Sequence, residues 1–139
     1  MLLPENGDPD VYFIRTDFSS AVRWQEICHT LGEALRELEM KAQFIEAREL
    51  DCASPGDLVP ILEGNPYYSF ALILDRVSME SPDFPVLVLD LLEEPGRTFR
   101  VVPSKVPNVH ANLSLANMDF QDFADSADPD GVFRRFPES

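Results

Sequence analysis

Phe70-Ala71-Leu72-Ile73-Leu74, closed by Asp75-Arg76, is the stretch that decides the fold. Five consecutive apolar residues mark a central strand covered on both faces, since a strand with one wet face would alternate. Such a strand needs helices on either side. Upstream, Val11-Tyr12-Phe13-Ile14 is a second short run of β-formers. Between the two, Val22, Trp24, Ile27, Cys28, Leu31, Leu35 and Leu38 recur at spacings of three and four. That spacing predicts a helix over 20–40, with Asp17 or Ser19 as suitable caps and Gly32 a slight weakness in its middle. Phe44-Ile45-Glu46-Ala47-Arg48 reads as a strand, and Ser54-Pro55 opens a short helix with Ser54 as cap. Pro60 falls close enough to the first turn to be tolerated. Gly64-Asn65-Pro66 should stop that helix.

Downstream, residues 85–92 form the next strand. The link 75–84 is about as short as a parallel crossover can be. Glu93-Glu94-Pro95-Gly96 is a turn, and residues 98–102 pair back as a hairpin. Residues 104–118 are helical in tendency, broken at Pro107. Asp119 caps a last helix over 120–127, with Phe120, Phe123 and Ala124 on one face. The tail carries Phe133 and Phe136, which should dock back. The element order predicts a single α/β domain over 11–139 after a flexible lead-in at 1–10. Its mixed sheet has about five strands in the order 2-1-3-4-5, the last antiparallel to the fourth, with helices on both faces.

Charge narrows function more than composition does. Eleven Lys and Arg stand against 25 Asp and Glu, a net charge of −14. Such a chain repels phosphate backbones and anionic headgroups, which argues against nucleic-acid or membrane partners and leaves a basic protein partner, mimicry of a nucleic acid, or, more simply, solubility. The opening residues lack a basic n-region and an apolar h-region, so a cytoplasmic location is expected. Cys28 and Cys52, without a C-x-x-C, read as free thiols. Five of the basic residues (Arg97, Arg100, Lys105, Arg134 and Arg135) fall in the last third, a mildly basic edge.

Sites in open α/β sheets form at the carboxyl ends of the parallel strands. Asp17, Asp51 and Asp75 fall there, where carboxylates could hold Mg²⁺ or supply a nucleophile, or simply cap and pair. Arg15, Arg76 and Arg100 lie at or in strands and could clamp an anion or pair with carboxylates. There is no G-x-S-x-G, no Gly-rich phosphate loop and no His or Cys spacing of a metal site. No catalytic residue, metal or cofactor is therefore assigned.

Asn112-Leu-Ser-Leu-Ala-Asn-Met-Asp-Phe120, with Phe123-Ala124 after it, is the most distinctive block. Together with Arg15-Thr-Asp-Phe18, Asp75-Arg76, Phe99-Arg-Val-Val-Pro-Ser104 and Asp130-Gly-Val-Phe-Arg134, it resembles an uncharacterised family of small, mainly bacterial proteins. The likeness covers most of 11–136 and implies positions, not an activity. It marks Arg15, Asp17, Asp75, Arg100, Asn112, Asn117 and Asp119, with Arg76 beside them, as candidate ligand-binding residues. Near Pro107-Asn108, Val106 and Val109 replace the polar residues of that family. Three functions fit. The first is a non-enzymatic acidic interaction protein, immunity- or regulator-like, with a basic partner. The second is a ligand-binding protein or enzyme with Asn117 facing Asp17 or Asp75. The third is a structural subunit that dimerises through residues 99–102.

Overall fold

The computed structural model describes residues 11–63, 69–115 and 117–136. The lead-in expected at 1–10 and the stop at Gly64-Asn65-Pro66 lie outside them. Six strands form one mixed sheet in the order β2-β1-β3-β4-β5-β6. They are β1 Val11–Arg15, β2 Ala42–Ile45, β3 Phe70–Leu74, β4 Val86–Asp90, β5 Thr98–Val101 and β6 Val132–Phe133. The helices are α1 Ala21–Arg36, α2 Pro55–Leu62, α3 Arg76–Glu80, α4 Val106–Ser114 and α5 Phe120–Asp125.

β1 pairs in parallel with β2 and β3. The crossover β1–α1–β2 and the crossover β2–α2–β3, which returns past β1, run in opposite directions along the sheet, so right-handedness must place their helices on opposite faces. One core accordingly joins Phe13, Leu72, Val88 and Val101 to α1, α4 and α5 through Ile27, Leu31, Val109 and Phe123. The other joins Ile14, Ile73 and Leu89 to Leu58 and Leu62 of α2. The strand order thus reverses around β1, which opens a crevice at the carboxyl ends of β1 and β3.

Several expectations need correcting. β4 runs antiparallel to β3, so the link at 75–84 is no crossover. It holds only the five residues of α3, too few to carry the chain back along the sheet. The sheet has a sixth strand. β6 pairs in parallel with the outer edge of β5, which removes the free edge that dimerisation through 99–102 requires. Ser20, not Asp17 or Ser19, caps α1, its Oγ accepting from the Arg23 N–H at 3.1 Å. Val22 and Leu38 are 68% and 62% exposed, outside the apolar stripe. α1 ends at Arg36, so Leu38 lies beyond the helix, in the turn that precedes a left-handed Glu39 (φ 57°). The second strand ends at Ile45 and gives way to a 3-10 turn at Arg48–Leu50. Pro60 lies inside α2, beyond its first turn, where it lacks the N–H that would bond the Gly56 carbonyl. Pro107 breaks nothing, because it occupies the first turn of α4.

Candidate functional site

At the carboxyl ends of the parallel strands the backbone itself draws three segments together. The Thr16 N–H donates to the Leu74 carbonyl at 3.0 Å, and the Cys52 N–H to the Thr16 carbonyl at 2.8 Å. Around these bonds opens a cleft of about 490 Å³. Asp17, Phe18 and Ser19 line it after β1, Arg48, Asp51, Cys52 and Ser54 after β2, and Asp75 and Arg76 after β3. The three acids expected at the strand ends are therefore together. Among the described residues no group of three His, Cys, Asp or Glu side chains is placed to hold a metal ion.

Each expected site residue here has a measurable job. The Arg15 guanidinium is buried, 4.3 Å from the ring centroids of both Phe18 and Trp24. Its Nε donates to the Asp17 carbonyl and its Nη1 to Glu46 at 2.8 Å. It is thus a clamp under the cleft floor, its charge met by Glu46 and two ring faces. The Asp17 carboxylate accepts from the Ser19 N–H and hydroxyl at 3.3 and 3.0 Å, an Asx turn leading into α1. Arg76 is exposed and bonds Glu80 one turn along α3.

Asp75 caps α3 by accepting from the Ser78 N–H at 3.0 Å. Arg100 reaches across the start of β4 to grip the same carboxylate with both terminal nitrogens, at 2.9 and 2.8 Å. Burial alone would raise the Asp75 pKa. The Arg100 and Ser78 hydrogen bonds outweigh it and hold the carboxyl below its usual range. Burial, then Glu46, pushes the Cys28 thiol up to about 12, an inert thiol. Cys52 is exposed, and Asp51 raises its pKa too, so it lacks the lowered pKa of an activated nucleophile.

The rest of the expected site lies at the other end of β3. Asn117 is exposed and does not face Asp17 or Asp75. Its backbone N–H donates to the Asn112 carbonyl at 3.0 Å, closing the chain after α4. The Asn112 amide bonds the Asn108 carbonyl. Asp119 is the N-cap residue of α5, its N–H donating to Asp122 at 2.9 Å. Asp119, Met118 and Phe120 line a shallow hollow of about 70 Å³ with Phe70, Leu113, Leu92, Asp90 and Glu93. Asp90, 3% exposed, accepts from the N–H groups of Leu92, Glu93 and Glu94 and so fixes the turn that carries Glu93. The basic edge expected from the last third is largely neutralised. Arg97 pairs with Glu94 and Asp125, and Arg134 with Asp83, Asp128 and Asp130.

Desolvation against the hollow, then the Asp119 and Asp90 carboxylates, raise the Glu93 pKa. A carboxyl whose folded pKa is raised penalises the folded state once ionised, and the penalty vanishes below its unfolded pKa. Glu93→Gln is therefore expected to raise Tm at neutral pH. The gain should disappear when the melts are repeated near about pH 4 and below, where the free carboxyl is protonated.

Asp90 and Glu93 were missed as site residues. The one available signal was a single carboxylate, Asp90, interrupting the apolar run 85–92. Arg48 was missed as well, because nothing in its neighbours along the chain predicts a cleft beside it.

A family described as a domain of unknown function, DUF6924, matches residues 10–136. The chain belongs to the DUF6924 family. No curated protein sequence matches this DUF6924 domain. Among solved structures it is similar to prolyl-tRNA synthetase from Cryptosporidium parvum, solved with L-proline and AMP, at 11% identity and a TM-score of 0.48. The match covers 78% of this chain and 22% of the synthetase, and at that score it carries no argument about the DUF6924 domain. No helix among the described residues is long and apolar enough to cross a membrane.

Proposed function

We propose that this domain is a non-enzymatic interaction module that takes a basic segment of a protein partner into the hollow beside Glu93 and Asp119. The observation that carries the reading is an apolar floor under an uncompensated acidic rim. Phe70, Leu113, Met118 and Phe120 form the floor, and Leu92 on its edge is 71% exposed. The nearest basic side chain on the same turn, Arg97, is already engaged by Glu94 and Asp125. An Arg or Lys side chain would lay its aliphatic stem on such a floor and put its charge on the rim. The net charge of −14 would speed the encounter and make it salt-sensitive.

Fluorescence anisotropy with a labelled peptide of alternating Arg and Leu tests this, with a Glu-Leu peptide as control. The basic peptide should bind and the acidic one should not. Glu93→Lys with Asp119→Lys should weaken binding about tenfold or more. Glu37→Lys with Glu63→Lys alters net charge equally but lies elsewhere, and should weaken it less than about threefold. Equal losses from the two pairs would mean that bulk charge, not the hollow, does the binding, and the proposal would fall.

A further inference from the structure

The cleft at the opposite end of the sheet holds two charges that have no oppositely charged partner among the described residues. Arg48 and Asp51 sit three residues apart on one 3-10 turn, the Asp51 N–H bonded to the Arg48 carbonyl at 3.0 Å. Such spacing commonly yields an ion pair. Yet neither side chain has an opposite charge within 4.0 Å among the described residues. Arg48 lies instead 5.0 Å from the Phe18 ring centroid, and Asp51 is met only by the Cys52 thiol at 3.7 Å. Both line the cleft.

The other charged side chains of the lining already have hydrogen-bonding partners. Asp75 is held by Arg100, Asp17 by Ser19, and Arg76 by Glu80. Among the described residues Arg48 and Asp51 are the cation and anion of this lining that lack both an ion pair and a cap or turn, while Asp17 is taken up by its two hydrogen bonds from Ser19. A pure anion would meet Asp51, and a pure cation would meet Arg48. A ligand carrying both signs satisfies both. The position is also the one where open α/β sheets take ligands, at the reversal of strand order around β1. A volume of about 490 Å³ suits a small molecule.

We propose that this cleft binds a small zwitterion of amino-acid size, its carboxylate on Arg48 and its ammonium on Asp51. The site is separate from the acidic hollow and stands or falls independently of it. The test is titration calorimetry on the whole chain with each of the common free amino acids, alongside their amides, which lack the carboxylate, and their N-acetyl forms, which lack the ammonium. At least one free amino acid should bind with Kd of about 1 mM or tighter. Its amide and N-acetyl forms should bind about tenfold more weakly or worse, as should Arg48→Ala and Asp51→Asn with the free form. Both side chains are exposed, so each variant should melt like the parent. The Glu93→Lys, Asp119→Lys protein should bind the amino acid unchanged. Absence of binding for every free amino acid at about 20 mM overturns the proposal. So does equal binding of an amide or N-acetyl form, or indifference to both cleft substitutions.

Discussion

Arg100→Met is expected to lower the unfolding free energy by about 2–3 kcal/mol, measured by urea denaturation at neutral pH. Removing one partner of a fully buried ion pair costs about 3–5 kcal/mol, chiefly because the other charge is stranded. Here the side chains are 19% and 21% exposed, and Asp75 keeps its bonds from Ser78, so the loss is smaller. The pH dependence identifies the cause. Asp75's folded pKa lies below the ordinary value of 3.8, so the pair contributes its full stability above that value. The contribution is lost as pH falls through the depressed pKa, and the gap between parent and variant should close over that same range. Asp75→Asn should cost a similar amount, and the double variant much less than the sum. Additive losses would show that the two side chains act separately.

Phe123→Ala should cost more, about 3–5 kcal/mol. Phe123 is fully buried, its ring 5.1 Å from Phe133, 5.4 Å from Phe136 and 6.0 Å from Phe99. It therefore holds α5, β5 and the last strand to one another, and the loss includes ring-pair terms of about 0.5–1.5 kcal/mol each. A total stability of about 5–15 kcal/mol is usual for a domain, so this one side chain matters to the whole. Amide exchange should accelerate most at Val132 and Phe133, whose strand has only two residues of pairing without it. Phe123→Leu should recover most of the loss. A denaturation midpoint that barely moves for the Ala variant would show that the cluster repacks.

The central strands were legible because burial on both faces writes an unbroken apolar run. That sufficed for the strand order from β2 to β5. The direction of β4 was not legible, since link length permits either sense until α3 is known to occupy it. α3 itself left little trace. Its five residues depend on the Asp75 cap, and that cap is held by a residue 25 positions away. β6 is too short to show any period. Val22 keeps to the three-and-four spacing inside α1 and yet faces solvent, and Leu38 continues that spacing past the end of the helix. Asp119 could be read as a cap from its neighbours, and Asp17, Asp51 and Asp75 as strand-end acids from strand position alone. The division of the candidate residues between two ends of the sheet could not, because opposite ends of one strand are only five residues apart in sequence. Likewise, the unpaired state of Arg48 and Asp51 depends on distances that no local pattern encodes.

The sixth strand has a consequence for solubility. An uncovered edge of paired-strand backbone is a template for other chains, and charge alone defends poorly against it at high salt. β6 covers the outer edge of β5 with two residues, held there by Phe133 in the core and by Arg134 gripping Asp128 and Asp130. The ten residues from 127 to 136 thus act as a guard rail against fibre-like association. Loss of that segment is expected to uncover the outer edge of β5 at Arg100 and Val101 for pairing with another copy.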